Sequence, residues 1–194
     1  MKKLAFIVML VLSLCIAPSI ASAVGIQAGL ALSNSNIYFE DTGGDYSYTF
    51  DMNMHYGLDL AVDLPINPMM EVLLGLTYYL PASPSDDTVF GSTDSTVAFL
   101  PIYASLKFSI PGLGMTGVNP YAGIGINYTT MTTANPAADP QPTAGLGYYG
   151  FVGASFGNMF AELGYISMRG TIADVDVNIE SRGVVIKGGM NFGM

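Results

Sequence analysis

The sequence is poor in the residues that carry most protein chemistry. In 194 residues it has one cysteine, one histidine, no tryptophan and only 11% charged residues. A lone cysteine excludes a disulfide framework and any cysteine-built zinc site. A lone histidine, His55, leaves little material for a hydrolytic or transition-metal centre. Six Lys and Arg stand against 15 Asp and Glu, which excludes a nucleic-acid binder, because that needs cations clustered against phosphates. No apolar run reaches the roughly 18 residues of a membrane-spanning helix. What is abundant is apolar and small: 51% hydrophobic residues, 23 Gly and 12 Tyr, with a mean hydropathy of +0.44. Such a composition excludes a disordered chain and leaves a core-rich soluble domain or a membrane protein.

The first 23 residues read as a secretory signal peptide. Lys2 and Lys3 form a positive start, Leu4 to Ile16 is an apolar run too short to span a bilayer, and Ala21-Ser22-Ala23 is a small-x-small cleavage site after Pro18. A lipoprotein reading of Leu12-Ser13-Leu14-Cys15 is weaker, because Leu14 occupies a position that wants a small residue. Cleavage after Ala23 leaves residues 24–194 as one domain without cysteine. It removes two of the six cations, so four face 15 acids, a net charge of −11.

The mature chain alternates with period two, the signature of strands with one apolar face. Eight such segments are predicted: Val24–Ser33, Phe50–Leu64, Met70–Leu80, Ala98–Ile110, Pro120–Thr130, Leu146–Phe156, Met159–Ser167 and Val184–Met194. The phase slips near Glu180–Gly183, where a bulge or longer loop is expected. All seven charged strand residues (Asp51, Asp59, Asp63, Glu71, Lys107, Glu162, Lys187) fall on the less apolar parity. The second segment is the clearest, since three acids share one parity there.

The connections alternate in length. Residues 34–49, 81–96, 131–145 and 168–183 are long, whereas Pro65-Ile66-Asn67-Pro68 and Gly157-Asn158 are tight turns and 111–119 is intermediate. Ten acids (Glu40, Asp41, Asp45, Asp86, Asp87, Asp94, Asp139, Asp174, Asp176, Glu180) lie in the long set and none in the short set. Long connections at one end, short at the other, and strands of about 9–11 residues match a transmembrane barrel. Closure also satisfies every backbone donor and acceptor in lipid.

Three stretches carry a resemblance to a known family. They are Leu100-Pro101-Ile102-Tyr103-Ala104-Ser105-Leu106-Lys107-Phe108, then Asn119-Pro120-Tyr121-Ala122-Gly123-Ile124-Gly125-Ile126-Asn127-Tyr128, then the terminal Lys187-x-Gly189-x-x-Phe192-x-Met194. In this order behind a signal peptide, the chain resembles the eight-stranded outer-membrane β-barrel proteins of the OmpA-barrel and OmpX type. The resemblance implies an all-β, antiparallel, up-and-down transmembrane barrel in the outer membrane of a Gram-negative bacterium, reached by export through the periplasm. It implies a monomer in contact with outer-membrane lipids and lipopolysaccharide. It also implies an assembly signal in Lys187, Gly189, Phe192 and Met194, read by the outer-membrane assembly machinery. Met194 stands where the family usually ends in an aromatic residue. Pro101 lacks an N–H and has no edge strand to sit on, so a local bulge or an unpaired carbonyl is expected there.

An eight-stranded barrel is just wide enough for side chains to fill. Asp59, Asp63, Glu71, Lys107, Glu162 and Lys187 are expected to point inward and, because unpaired buried charges are costly, to pair. Glu71–Lys107 is the expected pair near the short turns, and Glu162–Lys187 the second. Asp51, Asn53 and His55 share a parity near the loop end and read as a hydrated mouth. Tyr56, Tyr78, Tyr128, Tyr148 and Tyr165, with Phe50, Phe108, Phe156 and Phe192, fall on the apolar parity near strand ends and fit interfacial girdles. No catalytic, cofactor or metal site is expected. The function that follows is non-enzymatic: structural or surface-interacting, with acid-rich loops suited to divalent cations or cation-bridged lipopolysaccharide. Three alternatives remain open: a narrow ion or small-solute channel, a lipid A-modifying barrel enzyme built on a Ser and His55, and a soluble lipocalin-like barrel with its apolar face inward. Ser105 and Ser155 lie far from His55 along their strands, which weighs against the enzyme.

Overall fold

Alternating β-branched and aromatic residues favour a pleated backbone over a helix, and every regular element among the described residues is a strand. The computed structural model describes residues 24–41, 47–51, 54–82, 97–111, 117–133, 143–172 and 177–192. The strands are β1 (Gly25–Asp41), β2 (Ser47–Asp51), β3 (His55–Asn67), β4 (Met70–Ala82), β5 (Val97–Ser109), β6 (Val118–Thr133), β7 (Thr143–Phe156), β8 (Met159–Ile172) and β9 (Val177–Phe192). Each pairs antiparallel with its neighbours in the order β2-β1-β3-β4-β5-β6-β7-β8-β9, and β1 pairs with β9 to close the sheet. β2 and β3 both run along β1, β2 on its loop half and β3 on its turn half, so together they make one stave. The result is a closed, eight-stranded, up-and-down barrel.

The tight turns sit at the end that also holds Gly25 and Phe192. Gly157 has φ 59° between Phe156 and Met159, a left-handed conformation that glycine adopts without steric cost and that suits a two-residue hairpin. At the β3–β4 turn, Asn67 Oδ1 accepts a hydrogen bond of 2.9 Å from the Met69 amide.

Closure decides which face looks out. Leu30, Ile124, Ile126 and Leu146 are each more than 60% exposed on the outer wall, while Gln27, Asp59, Thr77, Asn127 and Lys187 are buried inside. A soluble protein rarely exposes a continuous apolar wall of this extent, so the inside-out lipocalin alternative fails. Tyr56, Tyr78, Tyr128, Tyr148 and Tyr165 are exposed toward the loop end, and Phe108, Phe156 and Phe192 toward the turn end. These are the two aromatic girdles that bracket a lipid-facing belt.

Three expectations need correction. First, the strands reach further than the alternation indicates. β1, β8 and β9 run well into residues 34–49 and 168–183, so Glu40, Asp41 and Glu180 lie on strands rather than in loops. Second, no bulge occurs at Glu180–Gly183: β9 keeps one register with both β8 and β1 throughout. The apparent slip comes from Glu180 and Arg182 standing on the outward parity, where apolar residues were expected. Third, one extra residue separates Asn36↔Asp51 from Ser33↔His55. This puts position 50 in register with the buried Ile37 and takes position 51 out of phase with His55. Asn53 lies outside the described residues. At Pro101, where a bulge or an unpaired carbonyl was expected, the ladder shows no bulge but a gap in pairing. The β5–β6 register passes through Pro101↔Thr129 unshifted, and the pairing with β4 instead skips from Leu76↔Ile102 to Tyr79↔Phe99. The missing N–H is absorbed on that seam.

Candidate functional site

The turn half of the lumen is polar. Asp59 on β3 is its centre: Oδ1 accepts from Lys187 Nζ at 2.7 Å and from Thr77 Oγ1 at 2.5 Å, and Oδ2 accepts from the Tyr103 hydroxyl at 3.1 Å. Lys187 Nζ also lies 4.2 Å from the Tyr103 ring centre and 4.9 Å from that of Tyr149, close enough for the ring faces to attract the ammonium group. Gly75 leaves room for this arrangement, since a Cβ there would come within 2.5 Å of Tyr103 Cζ. Nearer the turns, Lys107 Nζ lies 2.5 Å from Glu71 Oε2 and 3.6 Å from Asp63 Oδ1. Tyr121 links the two groups: Lys107 stands 4.9 Å from its ring centre, and its hydroxyl donates to Glu162 Oε1 at 3.1 Å.

Glu162 and Lys187 face one another in the β8–β9 ladder, yet the lysine does not make its ion pair there. Lys187 stands opposite Ala31 and Asp59 opposite Gly29 on the intervening β1. The ammonium group reaches across β1 to Asp59. Glu162 is held by two phenols instead, Tyr121 on Oε1 and Tyr149 on Oε2, both at 3.1 Å. The expected Glu162–Lys187 pair is therefore replaced by Asp59–Lys187.

The loop half of the lumen mixes apolar side chains with buried hydroxyls such as Ser35, Thr129 and Ser181. Ile37, Tyr79, Val97, Phe99, Met131, Ile166, Met168 and Ile179 form one buried cluster there. His55 is 1% exposed within it. Phe99 meets the imidazole edge-on at 5.6 Å between ring centres and Tyr79 at 6.3 Å. Neither imidazole nitrogen has a hydrogen-bond partner among the described residues. His55 is thus buried against two aromatic rings rather than standing at an open mouth. The aromatic ring of Tyr79 and the side chain of Phe99 belong to the parity that the alternation treats as polar, which is why this cluster is not apparent from the sequence.

The outer rim carries a second charged group. Arg169 on β8 faces Glu180 on β9 in the ladder, and Ser167 faces Arg182. Glu180 Oε1 lies 3.1 Å from Arg169 Nε and accepts from Ser167 Oγ at 2.5 Å, while Oε2 accepts from Arg182 Nη2. Arg182 also lies over the Tyr38 ring, 5.2 Å from its centre. These side chains share the parity of Leu163, Tyr165 and Val184, the lipid-facing residues lower on the same strands.

No protein-family model and no curated protein matches the chain. Solved structures do. OprG, an outer membrane protein from Pseudomonas aeruginosa, aligns over 88% of this chain and 96% of its own at 14% identity, with a TM-score of 0.53. The chain has the fold of the eight-stranded outer-membrane β-barrels. Neisserial surface protein A aligns over 84% of the chain and 95% of its own at 15% identity and a TM-score of 0.48. Ail, the attachment invasion locus protein of Yersinia pestis, aligns over 86% and 98% at 13% identity and a TM-score of 0.46.

Within this outer-membrane-type barrel, Asp59, Asp63, Glu71, Lys107, Glu162 and Lys187 all come together in the turn half of the lumen. Of the proposed terminal signal, Lys187, Gly189 and Phe192 lie on β9, and Met194 lies outside the described residues. So do residues 1–23 and Asp45, Asp86, Asp87, Asp94, Asp139, Asp174 and Asp176. The rim group around Arg169 and Arg182 is not anticipated from the alternation. The available signal was that two of the four cations left after residue 23 fall within 14 positions of each other, on either side of Glu180.

Proposed function

We propose that this chain is a non-enzymatic, integral outer-membrane protein of a Gram-negative envelope, exported through the periplasm. Its role is structural or surface-interacting, and its lumen is closed to bulk diffusion. The observation that carries the reading is the contrast between a charged, side-chain-packed interior and an apolar outer wall held between two aromatic girdles. Lipid is the solvent that accepts such a wall. Tyr79, Phe99, Met168 and His55 are fully buried across the loop half of the lumen, which supports a plug rather than a pore. The burial of His55 against the Phe99 and Tyr79 rings supports a role outside catalysis. The assembly machinery reading Lys187, Gly189, Phe192 and Met194, and a monomeric state among outer-membrane lipids and lipopolysaccharide, complete the proposal.

Fractionation of envelopes tests it. The protein should resist extraction without detergent and run faster on a gel unheated than boiled. Release by salt or carbonate alone refutes the membrane assignment. Planar-bilayer recording tests the plug, with no large stable conductance expected; a steady open level favours the narrow-channel alternative.

A further inference from the structure

We propose that Arg169 and Arg182 form a binding site for the phosphate-bearing headgroup of an outer-leaflet lipid; this rests on the outer-membrane reading above. Once residues 1–23 are removed the chain holds four cations. Lys107 and Lys187 are buried in the lumen. The two arginines are thus its only exposed cations, and both point outward on adjacent strands at the loop end of the lipid belt.

The layering along β8 and β9 matches the cross-section of a lipid leaflet. Leu163, Tyr165 and Val184 form an apolar lower layer. One step further along the strands come Ser167↔Arg182 and Arg169↔Glu180, and then polar Thr171↔Asn178. A lipid seated on this wall therefore meets apolar side chains with its acyl part and guanidinium groups with its headgroup. A groove of about 620 Å³ runs along this outer rim, with Arg169, Arg182 and Tyr38 among its walls. It is large enough for a phosphorylated headgroup.

The site is also preorganised. Glu180 holds both arginines, yet its side chain is only 13% exposed, against 51% for Arg169 and 41% for Arg182. The carboxylate lies beneath and the guanidinium groups above, with remaining N–H donors that have no partner among the described residues and suit a bidentate acceptor. Tyr38 fixes the Arg182 plane from the side. Arginine in a fixed orientation recognises phosphate by paired N–H donors, which a lysine point charge does not. Glu40, also in the groove, lies further out, level with Asn178, where the polar part of a headgroup rather than its phosphate would sit.

The test uses the full barrel inserted into phosphatidylcholine vesicles containing a minority of phosphatidic acid, which offers a phosphomonoester and no sugar. Lipids retained after mild detergent extraction are counted by native mass spectrometry. The wild-type protein should retain phosphatidic acid in preference to phosphatidylcholine. The R169Q/R182Q variant changes the trio with Glu180 from net +1 to −1. At about a factor of five per charge near a membrane surface, its preference should fall roughly thirtyfold. R169K/R182K should keep part of the preference, because it keeps charge and loses the paired donors. Insertion of the wild type without any preference overturns the site and leaves the barrel reading intact. Failure of the wild type to insert at all overturns the barrel reading. Displacement of the lipid by inorganic phosphate at equal concentration would assign the groove to free phosphate and overturn the lipid assignment.

Discussion

Replacing Lys187 by Met is the most informative single change in this barrel. Lys187 and Asp59 have side chains 3% and 1% exposed, with Nζ 2.7 Å from Oδ1. At an effective dielectric near 20, a charge pair at that separation attracts by about 6 kcal/mol. Stripping water from both ions costs several kcal/mol each, so the pair contributes little net stability as a pair. Truncating one partner is a different matter, because the desolvation of the other is then uncompensated. Lys187→Met leaves Asp59 with Thr77 and Tyr103 but no cation, and it removes the nearest ladder cation from Glu162. A loss of about 3–5 kcal/mol is expected. Asp59→Asn should cost clearly less, because the freed ammonium group has Glu162 directly opposite as a second acceptor. The assay is urea unfolding in lipid vesicles. It is followed by the heat-dependent gel shift and far-UV circular dichroism, since the chain has no tryptophan to report. If Lys187→Met costs under about 1 kcal/mol, or Asp59→Asn costs as much as Lys187→Met, the asymmetric network described here is wrong.

Four further changes probe other parts of the wall and lumen by the same assay. Gly75→Ala places a Cβ within 2.8 Å of Tyr103 and of Ala61 Cβ and should cost about 1–3 kcal/mol by overpacking. Gly150→Ala, whose Cβ meets only Gly123 O at 4.0 Å, should be close to neutral; equal costs would show that lumen packing does not set the difference. Leu30→Arg, on the lipid-facing wall, should destabilise the inserted barrel by about 2–4 kcal/mol, and an unchanged midpoint would argue that this face never meets lipid. His55→Phe removes two unpartnered ring nitrogens from an aromatic cluster and should leave stability unchanged or raise it by about 1 kcal/mol. A clear loss would point to a hydrogen bond made by the imidazole.

The fold was legible because a strand's side chains alternate strictly and lipid tolerates almost no charge. Asp59, Asp63, Glu71 and Lys107 mark the lumen parity of β3, β4 and β5 on sight, and Leu58, Leu60 and Leu76 mark the wall. Strand ends were less legible. Beyond the lipid belt both faces are free to be polar, so the alternation fades while the hydrogen-bonded ladder continues, as it does from Ser167 to Ile172 and from Val177 to Gly183. The extra residue between Asp51 and His55 was invisible for a related reason. A one-residue slip reverses every side chain beyond it, and Phe50 and Met54 read as one apolar phase whether or not the slip is there.

What the sequence alone determined was the number of staves, their order, and which residues face inward through most of the belt, since each of these follows from period-two patterning and the lengths of the connections. Tertiary structure decided the partners. Lys187 reaches across β1 to Asp59, while its ladder neighbour Glu162 is held by the phenols of Tyr121 and Tyr149. His55 is buried because aromatic rings from β4 and β5 pack against it. Arg169 and Arg182 become one site because two strands with no local signal in common share a register at the rim. Contacts of this kind depend on which side chains converge across a closed barrel, and that geometry exists only once all eight staves have met.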